Sequence, residues 1–398
     1  MSGISNRQLF LNHVAQTSPT PIGIEMVKAD GIYLFDADGK KYIDAISGFS
    51  VANIGHSNPK VIEAVQTQAA QYMHLIVYGE FIEQPQVSYA KLLTDHLPST
   101  LNCVYFTNSG TEATEGAMKL AKRVTNRSKI ISFNKSYHGS TQGALSVMGD
   151  EYWRNAFRPL LPDVHHFDYG TDEAINAIDD NTCCVIAETL QAEAGINKPT
   201  KEWMQAIRKK CDKHDALLIL DEIQAGFGRT GTLWAFEQFN IVPDILLLGK
   251  ALGGGMPLGA FIADKKLMNL LTYDPVLGHI TTFGGHPVSC AAGKAAFEVL
   301  LDGNYIPSVK NKEQFLLKNI HHPKIKAMRS AGLWMAIEFD SFETNHAVIQ
   351  KCISKGLITD WFLFAANCMR IAPPLITTEN ELKDICEIIN SSVQEIRP

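Results

Sequence analysis

Lys250 sits in Asp244-Ile-Leu-Leu-Leu-Gly-Lys250-Ala-Leu-Gly-Gly-Gly255, where a strongly apolar run delivers one amine onto a glycine-rich stretch. At such a strand end the ammonium form is disfavoured and the pKa falls, which suits Schiff-base chemistry with a carbonyl. Taken alone, a lysine of this kind more often snorkels to water. Its companions shift that balance. Asp221 closes the apolar run Ala216-Leu-Leu-Ile-Leu220 and precedes Glu222-Ile-Gln224. A carboxylate at the end of a buried strand needs a cationic partner against desolvation. That partner is either an arginine or the protonated nitrogen of a flat ring such as a pyridinium, which the ion pair would keep as an electron sink. In the second case Gln224 could donate to a phenolate oxygen on the same ring.

Other residues add to this set. Phe106-Thr-Asn-Ser109-Gly110-Thr111-Glu112 places small, donor-rich residues between a strand and a helix. Free N–H groups and the helix dipole make that terminus a phosphate site, or else Ser109 or Thr111 is a plain N-cap. Tyr137-His138-Gly139 follows another strand, so Tyr137 could stack on a flat ring or pack in the core. Gly226-Phe-Gly228-Arg-Thr-Gly231 matches the dinucleotide fingerprint, but Asp221-Glu-Ile-Gln-Ala separates it from the preceding apolar run, so the tight strand-to-helix turn is missing. His165-His166 and His321-His322 have no second cluster at ligand spacing, and no metal site is expected.

The elements that must position these groups alternate along the chain. Residues 101–107, 129–133, 183–188, 216–221, 244–248 and 259–263 read as strands, and 111–124 and 201–214 as helices. This alternation builds an α/β fold, a mostly parallel sheet covered by helices, with ligands at the C-terminal strand ends. The flanks differ. Residues 31–44 look like a hairpin turned at Asp38-Gly39. Beyond residue 300 come a helix, strands near 332–339 and 368–371, and a closing helix from Glu379. The expected division is a large domain over 49–300 and a small α+β domain built from 1–48 and 301–398.

Composition narrows the function. The 398 residues are 45% hydrophobic with a formal charge of −6 spread along the chain, which argues against nucleic acid or an anionic membrane as partner. No apolar run is long enough to span a bilayer, and the N-terminus lacks a signal-peptide core. Eight scattered cysteines without a C-x-x-C pair fit a reducing, cytoplasmic setting.

Together these motifs resemble the class III (ω-amino acid) aminotransferases, which use pyridoxal 5′-phosphate on a fold-type I scaffold with a seven-stranded sheet. The likeness extends to Glu188-Thr-Leu-Gln-Ala-Glu193, Thr281-Thr-Phe-Gly-Gly-His-Pro and Arg370-Ile-Ala-Pro-Pro, and is nearest to acetylornithine and ornithine aminotransferases. It implies that Lys250 carries the Schiff base and that Asp221 pairs with the pyridine nitrogen. Tyr137 of the Tyr137-His138-Gly139 unit would stack on the ring, and Gln224 would contact its phenolate oxygen. Ser109, Gly110 and Thr111 would seat the phosphate, and Glu188 would orient the site. Thr282 would reach the phosphate of the other subunit, which makes the enzyme a homodimer with shared sites.

The resemblance also implies a substrate pair, an ω-amine donor and a 2-oxo acid acceptor, 2-oxoglutarate first. Glu193 and Arg370 match a carboxylate–arginine pair that opens to admit an α-carboxylate; the alternative is a static salt bridge. The family's usual arginine after the aromatic-His-Gly unit is Ser140 here, so the donor is held otherwise, by Arg154 or Arg158 for example, or lacks a distal carboxylate as a diamine does. Phe49, Tyr78 and His74 are candidate pocket walls or core residues. An aminomutase or decarboxylase on the same scaffold is the alternative function.

Overall fold

The computed structural model describes residues 4–396. Met1–Gly3, part of the N-terminal stretch read above for a leader, lie outside the described residues. In chain order the strands are β1 (Met26–Asp30), β2 (Tyr33–Asp36), β3 (Lys41–Asp44), β4 (Cys103–Thr107), β5 (Lys129–Phe133), β6 (Val164–Phe167), β7 (Thr182–Glu188) and β8 (Leu217–Asp221). They continue as β9 (Ile245–Leu248), β10 (Gly259–Ala263), β11 (Ala327–Ser330), β12 (Met335–Glu338), β13 (Leu357–Ile358), β14 (Asp360–Phe362) and β15 (Ala365–Ile371).

Seven of these form one sheet in the order β4-β10-β9-β8-β7-β5-β6. Only β10 runs antiparallel to its neighbours; the other pairings are parallel. Every residue of β7, β9 and β10 is buried, as expected of strands covered on both faces. Helix Gly110–Thr125 shows how a covering element is specified. Ser109 caps its start by accepting from Glu112 N–H, Ala113, Ala117, Leu120 and Ala121 form its buried stripe, and Asn126 ends it at φ +52°.

Two four-stranded sheets flank the large one, β1-β2-β3-β13 and β11-β12-β15-β14. The hairpin turns where expected: Asp36 Oδ1 accepts from Asp38 and Lys40 N–H, and Gly39 takes φ +81°. β13 pairs parallel to β3, Leu357 opposite Ile43, so the first sheet draws on both ends of the chain. Several elements were absent from the sequence reading. β6 is a partly exposed edge strand with two histidines, and β13 has only two residues, so neither shows a clear period. Helix Pro287–Asp302 is buried on nearly all sides and so lacks an amphipathic stripe. Among the described residues, no helix is long and apolar enough to cross a membrane.

Candidate active site

Residues at or just beyond the C-terminal ends of β4, β5, β7, β8 and β9, with Trp334 just before β12, line a cavity of about 310 Å³. Its lining brings together Gly110, Thr111, Tyr137, His138, Glu188, Glu193, Asp221, Gln224 and Lys250. Parallel register places Glu188 directly opposite Asp221 on neighbouring strands. Lys250 enters from the end of β9 with φ +49°, a left-handed conformation uncommon outside glycine and often found at functional sites.

The three acidic side chains are each held by hydrogen bonds. Asp221 Oδ1 accepts from Ile223 N–H at 2.9 Å, and Oδ2 lies 2.8 Å from His138 Nδ1. Glu188 accepts from Tyr137 N–H at 3.0 Å and Ala192 N–H at 2.7 Å. Burial and the neighbouring Asp221 push the Glu188 carboxyl well above its usual range, against the pull of those two N–H groups. Burial is also the largest influence on Lys250 and lowers its pKa, although Asp221, Glu193 and Glu188 favour the ammonium. Arg370 donates to both Glu193 oxygens, Nη1 at 3.0 Å and Nη2 at 2.8 Å. Glu193 lines the cavity, whereas Arg370 lies behind it, 2% exposed.

Not every candidate is gathered here. Ser109 does not line the cavity; its hydroxyl accepts from Glu112 N–H as the helix cap. Thr282 is exposed in a loop away from the cavity. Arg154 is engaged by Glu151, His166 and the carbonyls of Ser146 and Met148, and Arg158 pairs with Glu151. Neither arginine lines the cavity, whereas Ser140 does, 3.1 Å from the Tyr137 hydroxyl. Of the suggested walls, Phe49 lies over the Arg370 guanidinium and His74 packs on Phe283 and His286. Tyr78 lines a separate groove. The fingerprint-like segment forms turns, with Arg229 fully buried and donating to Leu333 and Pro373 carbonyls.

The sequence reading missed Ile223, Leu190, Ala192, Ala225 and Trp334, which form the apolar walls. Ile223 had a signal, since it stands between Asp221 and Gln224. Trp334 had none, because it arrives from the distant second small sheet.

Three features fit a flat ring carrying a phosphate. Gln224 Nε2 is buried without a protein partner, although its residue lines the cavity. Gly110 and Thr111 present N–H groups at the start of a 16-residue helix, an anion-favouring terminus. Gly139, at φ +130°, has no room for a side chain: a Cβ would lie 2.3 Å from Thr111 Oγ1.

The family model of class III aminotransferases matches residues 14–393. The acetylornithine aminotransferase of Methanopyrus kandleri is 37% identical over 363 residues, covering 90% of this chain and 92% of the relative. Ornithine aminotransferase 1 of Staphylococcus aureus is 36% identical over 389 residues, covering 94% and 95%. Among solved structures, the ornithine aminotransferase of Toxoplasma gondii, with partial occupancy of PLP at its active site, superposes with a TM-score of 0.90. It is 30% identical, over 97% of this chain and 92% of that one. The chain belongs to the class III aminotransferases, enzymes that transfer amino groups with pyridoxal 5′-phosphate as cofactor.

Proposed function

We propose that this aminotransferase takes the terminal amino group of an ω-amino acid or diamine and delivers it to a 2-oxo acid of the 2-oxoglutarate class. The observation that carries this reading is the bidentate Arg370–Glu193 pair beside the Lys250 cavity. Glu193 screens the arginine while a donor with no carboxylate at its reacting carbon is bound. When Glu193 withdraws, Arg370 offers a planar fork for the acceptor's α-carboxylate. The relatives favour this transamination over the aminomutase or decarboxylase alternative.

When bound, pyridoxal 5′-phosphate supplies the electron sink that loosens a proton at the amine-bearing carbon. Gly110, Thr111 and the helix terminus would hold its phosphate, Tyr137 its ring face, Gln224 its phenolate oxygen and Asp221 its ring nitrogen. His138 and Ile223 N–H orient the Asp221 carboxylate, and Glu188 orients the Tyr137 backbone. Lys250 Nζ, with its cationic form disfavoured by burial, accepts the proton and returns it to the neighbouring carbon.

The donor end is framed by Ser140 without Arg154 or Arg158. A donor whose far end carries no carboxylate, as in a diamine, meets no charge mismatch there. The enzyme works as a homodimer in this reading, with exposed Thr282 serving the phosphate of its partner. Exposed apolar residues in two loops, Ile82 at 94%, Val276 at 71% and Phe283 at 53%, support a surface for a second copy. The hairpin ends joined through β3 and β13 support a small domain built from 1–48 and 301–398 beside a large one over 49–300. The eight free thiols support a cytoplasmic location.

The test is a donor panel of ornithine, acetylornithine, lysine, 4-aminobutyrate and putrescine against 2-oxoglutarate and pyruvate. Arg370→Ala should raise the KM for 2-oxoglutarate far more than the KM for the amine donor. Equal losses in the two half-reactions would reject the switch.

A further inference from the structure

Glu193 is not the only carboxylate on Arg370. Asp360 stands directly opposite Arg370 in the antiparallel ladder of β14 and β15. Its Oδ1 lies 3.2 Å from Arg370 Nε, a charge contact in which neither atom completes a hydrogen bond, while Glu193 is hydrogen-bonded to both Nη atoms. The two acids therefore take different edges of one guanidinium. Phe49 and Phe362 cover that guanidinium at 5.2 and 4.4 Å, and the Trp361 carbonyl accepts from Nη2 at 3.2 Å. Glu193 lines the cavity and Asp360 does not. A carboxylate entering from the cavity can displace Glu193 but leaves Asp360 in place.

We propose that Asp360 is a positioning residue for Arg370: it holds the Nε edge while the Nη edge passes from Glu193 to the acceptor's carboxylate, and it sets how tightly that acceptor is bound. The proposal rests on the Arg370–Glu193 switch described above. A neutral Asp360 leaves Arg370 with its full charge for the acceptor, whereas an ionised Asp360 competes with it.

The surroundings make this competition responsive to pH. Burial pushes the Asp360 carboxyl up to about 7; Arg370 pulls it down, and Glu193 and Asp44 push it up. Asp44, from the end of β3, is itself bound to His56 at 2.8 Å. From helix Phe342–Ser354, which packs on β14, His346 lies against Trp361, Lys351 pairs with Glu395 and Glu343 is exposed. Acceptor binding should therefore weaken as pH rises through about 7, by at most about tenfold per pH unit for one coupled proton.

The experiment measures the Kd of glutarate, an unreactive dicarboxylate, for the holoenzyme by calorimetry at pH 6 and pH 8.5. The wild type should bind more weakly at pH 8.5, by about fivefold or more. Asp360→Asn should bind equally at both values, near the acid-side affinity, and Asp360→Glu should keep the pH dependence. The KM for 2-oxoglutarate should follow the same pattern while the donor KM does not. A flat wild-type profile, or a wild-type profile retained in Asp360→Asn, overturns the proposal. Glu193→Gln separates the two ideas, because it should tighten glutarate at both pH values. If it does so while Asp360→Asn changes nothing, only the role of Asp360 fails; if Glu193→Gln leaves glutarate binding unaltered, the switch fails and this proposal with it.

Discussion

Lys250 has an ordinary side chain in an unusual place. Burial lowers its pKa, so a larger fraction is neutral near pH 7 to 8 than for a solvated lysine. With the free amine as the proton carrier proposed for Lys250, the rate of the donor half-reaction should climb with pH through an apparent pKa below 10.5, the value of an unperturbed lysine. Stopped-flow single turnovers at stepped pH would show this limb. Lys250→Ala should lower that rate by about 10² to 10⁴, the usual contribution of a positioned proton-transfer group. A variant with near-normal turnover would remove Lys250 from the mechanism. At this scale the sequence was highly legible: Lys250, Asp221, Gln224, Gly110, Thr111 and Tyr137 were all identified and all meet in one cavity. Ser109 was not separable from its neighbours, because a cap and a phosphate ligand call for the same small polar residue.

At the scale of elements, strand order decides which side chains meet. β7 and β8 set Glu188 opposite Asp221, and the turn after β5 lays His138 against the same carboxylate. The glycine of that turn has a steric reason. Gly139→Ala would carry φ +130° and press a methyl into Thr111, at a cost of roughly 1–3 kcal/mol. Equilibrium dialysis should show pyridoxal phosphate binding weakened by about tenfold to a hundredfold, with the far-ultraviolet circular dichroism unchanged. Unaltered affinity would show that the turn does not shape the cofactor seat. The strongly apolar strands of the large sheet were legible in the sequence to within a residue or two, whereas β12 and β15 were placed with one end three residues off. Those that escaped, β1, β6, β11, β13 and β14, are short or partly exposed, so packing partners specify them more than any local period.

For the whole molecule, the exposed apolar loops are the feature one chain leaves unexplained. Replacing Ile82 and Val276 together by Asp should shift the protein toward monomer in sedimentation velocity. If Thr282 serves the partner's phosphate, cofactor retention should fall with it. A dimer that survives both changes would place the interface elsewhere. Arg229 shows what folding within one chain adds. It is fully buried and joins Ser47 and Asn53 to the carbonyls of Leu333 and Pro373, with burial lowering its pKa to about 9. In the sequence it was only part of a glycine-rich segment. The residue types and their order along the chain pointed to the chemistry, because an amine at an apolar strand end, a strand-terminal acid and a donor-rich helix start are local features. Tertiary structure alone decided that Arg154 and Arg158 pair away from Ser140, that Trp334 walls the cavity, and that Asp360 shares Arg370 with Glu193. Those outcomes depend on strands far apart in sequence lying side by side, and no local pattern records which of them will be neighbours.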